Sequence, residues 1–218
     1  MVVKWIFAFS SFTASMLYAT ATLAGAYADP IQNAAVWLES IQDSTDGSWL
    51  DTSESRTFLQ TTEAVLALHQ ANRRSSAYYA GQTWIKNHDP RNLDARARRL
   101  VVLRTAQSSS QPDVDALLTA VSTGDQGWPV GTGGTTDTFT TARVVQSLAG
   151  YKQADPSLTS PITNAINTLK TKVSVSSAPH IRAATALAYL SVDPNSNDAK
   201  TLLNSLLALQ RPDGGFDA

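Results

Sequence analysis

Apolar residues recur every three or four positions along most of the chain, in segments separated by short polar loops. This spacing places the apolar side chains on one face of an α-helix. The Thr-rich stretch 135–141 lacks the alternation that a β-strand requires. The pattern therefore predicts an all-α protein with helices near residues 31–43, 60–72, 76–88, 93–106, 112–122, 139–151, 160–173, 179–191 and 197–210.

Three of the loops contain a turn in which glycine lies close to a large aromatic residue. These are Asp46-Gly47-Ser48-Trp49, Asp125-Gln126-Gly127-Trp128 and Asp213-Gly214-Gly215-Phe216, which begin 79 and 88 residues apart. Paired threonines follow the first two loops, 12 and 13 residues after the tryptophan in both cases, at Thr61-Thr62 and Thr140-Thr141. The equal offset indicates an internal repeat.

The repeating unit is one helical hairpin of about 35–48 residues, and the Gly-aromatic loop occurs at every second hairpin. Periods in this range are typical of stacked helical arrays, because a single hairpin cannot bury both of its apolar faces. Within the loops, Gly47 and Gly127 are expected to permit tight turns, and Trp49 and Trp128 are expected to bury large areas.

Two segments carry a specific resemblance: residues 37–42 with 46–49, and residues 206–210 with 213–216. In each, an apolar helix ends in glutamine, Gln42 or Gln210, and Gly-x-Trp or Gly-x-Phe follows, ending at Trp49 or Phe216 (Gly215 precedes Phe216). Both resemble the Gln-Trp repeat of the terpenoid cyclase and protein prenyltransferase superfamily, which includes the squalene–hopene cyclases. The middle loop, with Gly127 and Trp128, departs from the repeat because no glutamine closes its helix at the usual distance.

The resemblance implies an α/α toroid, in which an inner ring of helices surrounds a cavity and an outer ring encloses it. The predicted helices supply four hairpins and the first half of a fifth, an incomplete ring. We therefore expect the chain to be the N-terminal part of a longer protein, with the missing repeats downstream, or else to self-associate. The repeat domain is expected to cover residues 29–218.

The reactive residues of the best-known branches of this superfamily are absent from the sequence. There is no Asp-x-Asp-Asp motif for protonating an alkene, and the pair Asp113 and Asp115 is better explained by its position at a helix start. The chain has no cysteine, which excludes the zinc site of the prenyltransferases, the thioester of complement-like proteins and disulfides. The three histidines show no spacing typical of a metal site, so no metal or cofactor is predicted.

Charge is balanced, with 17 Lys and Arg against 18 Asp and Glu, which argues against nucleic-acid binding by bulk charge. The densest basic stretch, residues 91–104, is predicted to be a solvated or salt-bridged helix face on which Arg96 and Arg99 point together. Candidate ligand-binding residues lie instead near the starts of the predicted inner helices, where the rim of a toroid cavity is expected. These are Thr61, Asp94, Thr141, Arg143, His180 and Arg182, although helix capping and solvated surface explain them as well.

Residues 1–28 have the pattern of a signal peptide: a short start with one lysine, an apolar stretch and Ala26-Tyr27-Ala28 before Asp29. Cleavage after Ala28 predicts a secreted or periplasmic protein, and an uncleaved membrane anchor is the alternative. No later segment is apolar enough to cross a membrane.

Three functions remain open from the sequence. The first is an exported toroid-repeat module that binds a small molecule, a glycan or a protein and carries no catalytic residue of its own. The second is the N-terminal part of a cyclase-like or prenyltransferase-like enzyme with reactive residues beyond Ala218. The third is a carbohydrate-active toroid, a lyase or hydrolase, that uses His180, Arg182 and a carboxylate.

Overall fold

The computed structural model describes the backbone of residues 21–51 and 53–211, and side chains from residue 30 onward. Secondary structure in this part of the chain is helical, without β-strands, which confirms the predicted all-α class. A 3-10 helix, Pro156–Leu158, precedes the seventh α-helix. The α-helices are α1 (Ala21–Ser40), α2 (Glu54–Gln70), α3 (Ser76–Asn87), α4 (Leu93–Thr105), α5 (Gln111–Thr119), α6 (Thr138–Ala149), α7 (Thr159–Lys172), α8 (Pro179–Val192) and α9 (Asn197–Leu207).

The predicted helix boundaries differ most from the observed ones at the starts of α1 and α2. The α2 helix begins at Glu54 because Ser53 caps it: the Ser53 hydroxyl accepts a hydrogen bond from the Arg56 N–H. The α1 helix begins at Ala21 and includes Pro30, which the sequence analysis placed at its first turn. Residues 1–20 of the predicted signal peptide lie outside the described residues, and residues 21–28 form the first part of α1.

The chain divides into two compact units. The first contains Met1–Arg91 and Val101–Ser109, and the second contains Asn92–Leu100 and Ser110–Ala218, so that α4 contributes to both. In the first unit α2 packs against α1 and α3. Its buried residues include Phe58 and Trp84, whose ring centroids are 5.9 Å apart.

The second unit is organised around α6 and α8, which pack against each other more extensively than any other described pair of helices. The α7 helix packs on α6, and α9 packs on α8. In these two hairpins, α6 and α8 make the contact between the hairpins, and α7 and α9 each cover their own hairpin. The core between these helices is apolar and includes Trp128, Leu148, Ile162, Leu169 and Ala186.

The two Gly-aromatic loops that the structure describes have the same hydrogen-bond pattern. In the first, the Trp49 indole N–H donates to the Leu38 carbonyl (2.8 Å) and the Trp49 backbone N–H donates to the Thr61 hydroxyl (3.0 Å). In the second, the Trp128 indole donates to the Leu117 carbonyl (2.7 Å) and its backbone N–H donates to the Thr141 hydroxyl (2.8 Å). The two loops thus share these bonds, although the threonine that binds the tryptophan N–H lies 12 residues after Trp49 and 13 residues after Trp128.

The turn in each loop requires one residue with positive φ. That residue is Gly47 in the first loop (φ 83°) and Gln126 in the second (φ 60°), so the glycines of the two motifs have different roles. Gly127 is required for space instead, because a Cβ there would lie 2.3 Å from the Cγ2 methyl of Thr136. The equivalent position in the first loop is Ser48, which is fully buried.

Candidate functional site

Charged and aromatic side chains from the N-terminal parts of α4, α6 and α8 meet in the second unit. Asp94 lies in the first turn of α4, and its Oδ2 accepts a hydrogen bond from Nε of Arg98 one turn later (2.8 Å). On α6, Nε of Arg143 is 3.8 Å from Oδ1 of Asp94. We refer to these residues, together with Phe139 on α6 and His180 on α8, as the α4–α6–α8 cluster.

Phe139 connects the charged and the exposed sides of the cluster. The Arg143 guanidinium lies 5.8 Å from the centroid of the Phe139 ring, within the range of a cation–π contact. The exposed imidazole of His180 lies on Phe139 as well, with ring centroids 6.0 Å apart and planes inclined at 57°. Gln146 supports the arrangement by accepting from Nη1 of Arg143 (3.4 Å) and donating to the Ala184 carbonyl of α8 (2.8 Å).

Burial disfavours the charged forms of all three ionisable groups at the centre of the cluster. It raises the pKa of the Asp94 carboxyl; the Arg143 guanidinium opposes this shift and the Asp137 carboxylate adds to it. Burial also lowers the pKa of Arg98 well below its usual value, and the charge of Arg143 lowers it further. The pKa of Arg143 is lowered by burial against the favourable effect of Asp94. Charge is therefore held here at an electrostatic cost.

The six predicted ligand-binding residues have different surroundings. Asp94, Arg143 and His180 belong to the cluster. Thr141 is fully buried and its hydroxyl is engaged with the Trp128 backbone; Thr61, in the first unit, binds the Trp49 N–H in the same way. Arg182 is 5% exposed, and its Nη1 donates to the Ser205 hydroxyl of α9 (3.0 Å). His180 and Arg182 thus contact different helices.

The glutamine of the first repeat motif holds its loop in place. Nε2 of Gln42 donates to the Gly47 and Ala77 carbonyls, both at 2.8 Å, and so ties the first loop to α3. Gln210 follows the end of α9 and is exposed. Gly215 and Phe216 lie outside the described residues.

Asp113 binds differently from its expected role at the start of a helix. Its carboxylate is 2% exposed and accepts from Nη1 of Arg96 (2.6 Å) and from Nε and Nη2 of Arg99 (2.8 and 2.7 Å). The two arginines point together, as their spacing on α4 predicted, and the basic stretch is salt-bridged there. Because Arg96 and Arg99 lie on α4 and Asp113 lies on α5, these two ion pairs hold α4 against α5.

Phe139 and Gln146 were not singled out from the sequence. The available signal was their spacing, because Phe139 is four residues before Arg143 on α6 and Gln146 is three residues after it. On α4, Arg98 likewise lies four residues after its partner Asp94. The sequence analysis placed His180 near Asp94 and Arg143, but it did not predict the contact of the His180 ring with Phe139.

No three His, Asp or Glu side chains among the described residues converge as metal ligands. None of the described helices has the length and apolar character needed to cross a membrane. Comparison of the chain with protein-family models, with curated proteins and with solved structures finds no match.

Proposed function

We propose that the chain is an exported helical-hairpin repeat protein of the α/α-toroid type that binds a polar ligand at the α4–α6–α8 cluster. The single observation that carries the binding function is the contact of Asp94, Arg143, Phe139 and His180 at one end of three helices. Aromatic surface beside a few convergent polar groups is typical of small-molecule sites. Ionisable groups whose pKa is shifted by burial, as at Asp94 and Arg143, are common at binding sites.

The toroid-type arrangement is supported by the helix pairing of the second unit. An inner and an outer layer require consecutive inner helices to contact each other, as α6 and α8 do, and each outer helix to cover its own hairpin, as α7 and α9 do. The two loops with equivalent tryptophan bonds are consistent with such a repeat. The resemblance to the Gln-Trp repeats of the terpenoid cyclase and prenyltransferase superfamily belongs to the same proposal.

Binding rather than catalysis is proposed because the cluster lacks a nucleophile with an adjacent base. The hydroxyls of Thr61 and Thr141 accept from backbone N–H groups, and Arg182 is bonded to Ser205. His180 contacts an aromatic ring, and none of the described carboxylates forms a hydrogen bond with it. Such an arrangement favours recognition over acid–base chemistry.

The binding function is tested by protein-observed NMR on the full chain. Neutral sugars, a sugar acid, an amino sugar and a short aromatic acid would be titrated separately. We expect at least one probe to shift the signals of Phe139, His180 and the Arg143 side chain, with saturation. If none of the four probe classes perturbs these signals at millimolar concentration, the cluster is not a ligand site.

Export is tested by a separate expression experiment. The protein would be expressed with residues 1–28 intact in a bacterial host and recovered from the periplasm or the medium. Cleavage after Ala28 predicts Asp29 as the N-terminal residue by mass spectrometry. Recovery of the intact chain in the membrane fraction would support the anchor instead.

A further inference from the structure

The geometry points to a saccharide, a neutral ring with several hydroxyl groups, as the ligand of the α4–α6–α8 cluster. This inference rests on the proposed binding function and goes further by naming the chemical class of the ligand. It follows from the order of the charges in the cluster, from the hydrogen-bonding capacity of its polar atoms and from the position of its aromatic rings.

Charges of both signs alternate in the cluster, which disfavours a charged ligand. The Asp94 carboxylate lies between the guanidinium of Arg98, at 2.8 Å, and that of Arg143, at 3.8 Å. An anion bound to either arginine would therefore lie beside a carboxylate that already feels the charge of Asp137. A cation bound to Asp94 would face two guanidinium groups. A neutral ligand avoids both repulsions.

A hydroxyl group matches the polar atoms of the cluster better than other neutral groups. A carboxylate only accepts hydrogen bonds and a guanidinium only donates them, whereas a hydroxyl does both. Oδ1 of Asp94 accepts no hydrogen bond among the described residues, and its distance of 3.8 Å from Nε of Arg143 exceeds hydrogen-bond length. Oδ1 is buried beside Arg143, so a ligand hydroxyl can reach it only if the Arg143 guanidinium moves. The hydroxyl would then donate to Oδ1 and accept a hydrogen bond from the guanidinium.

The aromatic side of the cluster suits the other face of a sugar ring. The C–H groups of a pyranose form an apolar patch, and its hydroxyls project around the edge. Phe139 is partly exposed and His180 is exposed, and their rings, inclined at 57°, lie beside Arg143. A sugar ring placed against Phe139 would keep its apolar face on the aromatic ring and direct an edge hydroxyl toward the Arg143 guanidinium, which lies next to Asp94.

The test is isothermal titration of the full chain with four neutral tetrasaccharides: cellotetraose, maltotetraose, mannotetraose and N-acetylchitotetraose. The deacetylated chitotetraose supplies a cationic match and tetragalacturonate an anionic probe. We expect at least one neutral sugar to bind, and both charged probes to bind at least tenfold more weakly, or about 1.4 kcal/mol.

Two variants locate the binding. Asp94→Asn removes a charged acceptor and is expected to weaken binding of the neutral sugar about tenfold or more. His180→Ala changes an exposed side chain, so it keeps the fold and is expected to weaken binding severalfold. Asp115→Asn, at an exposed carboxylate of α5, is the matched control and should bind like the unchanged protein.

The outcomes separate this inference from the proposed function. If no neutral sugar binds but the uronate or the amino sugar shifts the NMR signals of Phe139 and His180, the cluster is a ligand site and the inference of a neutral saccharide is wrong. If a neutral sugar binds and neither Asp94→Asn nor His180→Ala weakens it, the sugar site lies elsewhere and the inference is also overturned. Silence of all probes at the cluster rejects both proposals.

Discussion

Replacing Asp113 by asparagine keeps the shape of the side chain but removes the negative charge that pairs with Arg96 and Arg99 in the second unit. The carboxylate receives three hydrogen bonds of 2.6–2.8 Å from Arg96 and Arg99 and is 2% exposed. Asparagine retains one acceptor oxygen, but its amide N–H₂ would face guanidinium N–H groups. At least one donor would therefore lose this acceptor, and both guanidinium groups would lose the negative charge of Asp113.

The size of the effect follows from the burial of the partners. Breaking a buried ion pair from one side costs about 3–5 kcal/mol, because the remaining charge is left in a poorly solvated site. The Arg99 side chain is 11% exposed and cannot recover much hydration, whereas that of Arg96 is 24% exposed and can turn toward water. We therefore expect Asp113→Asn to lower the free energy of unfolding by about 3 kcal/mol, at the lower end of that range.

The assay is urea unfolding followed by far-UV circular dichroism, with Asp115→Asn as the control on the same helix. Asp115 is exposed and bonded to Gln111 (2.8 Å), so its substitution should cost less than about 0.5 kcal/mol. The difference between the two variants should persist in about 1 M NaCl, where exposed pairs are screened within roughly 3 Å. Equal midpoints for the two variants, or a difference that salt abolishes, would contradict the buried-pair argument.

Gly127→Ser is expected to destabilise the second unit by about 1–3 kcal/mol, because its Cβ would lie 2.3 Å from a threonine methyl across the loop. The matched reverse change, Ser48→Gly, should cost no more than about 1 kcal/mol. Equal urea midpoints for the Gly127→Ser and Ser48→Gly variants would refute the idea that only the second loop lacks space for a side chain. Thr141→Val leaves the buried Trp128 N–H without an acceptor and should cost about 1–3 kcal/mol, whereas Thr141→Ser should restore most of it, by thermal unfolding. Hydrogen bonding from Lys172 lowers the pKa of Asp125 to about 2, so its contribution to stability is complete above pH about 4 and is lost as the pH falls toward 2. Asp125→Asn should therefore flatten the stability profile in that window, and an unchanged profile would argue against the pair.

The periodicity of apolar residues was sufficient to predict the helices because tertiary packing uses the same faces that the pattern defines. The start of α2 was placed too late because its first turn is polar, and the signal there was the capping residue Ser53 rather than an apolar repeat. Asp113 shows a different limit. An aspartate in the first turn of a helix has a sufficient local explanation, and only the packing of α4 against α5 brings two arginines to it.

The candidate site could be predicted only in part for the same reason. Position on a helix identified Asp94, Arg143 and His180, because polar residues near helix starts share one end of a hairpin array. Position did not reveal that Arg182, two residues after His180, points toward α9 instead. Residues two apart on a helix face different directions. Because α8 packs against α6 on one side and α9 on the other, His180 and Arg182 cannot contact the same ligand.

The cluster occurs where the second repeat departs from the first. In both loops a threonine hydroxyl binds the tryptophan N–H, but α2 begins seven residues before its threonine and α6 only three residues before. Where the first repeat has the first turns of α2, the second repeat has the exposed Gly-rich segment 130–135. The carbonyl of Val130 in that segment accepts a hydrogen bond from the Leu93 N–H at the start of α4 (3.4 Å). The bond pattern shared by the two loops fixes the helix, and the altered connection leaves Phe139 in the first turn of α6, where its ring lies 5.8 Å from the Arg143 guanidinium. A rigid repeat that varies in one connecting loop can gain a binding site without changing its core.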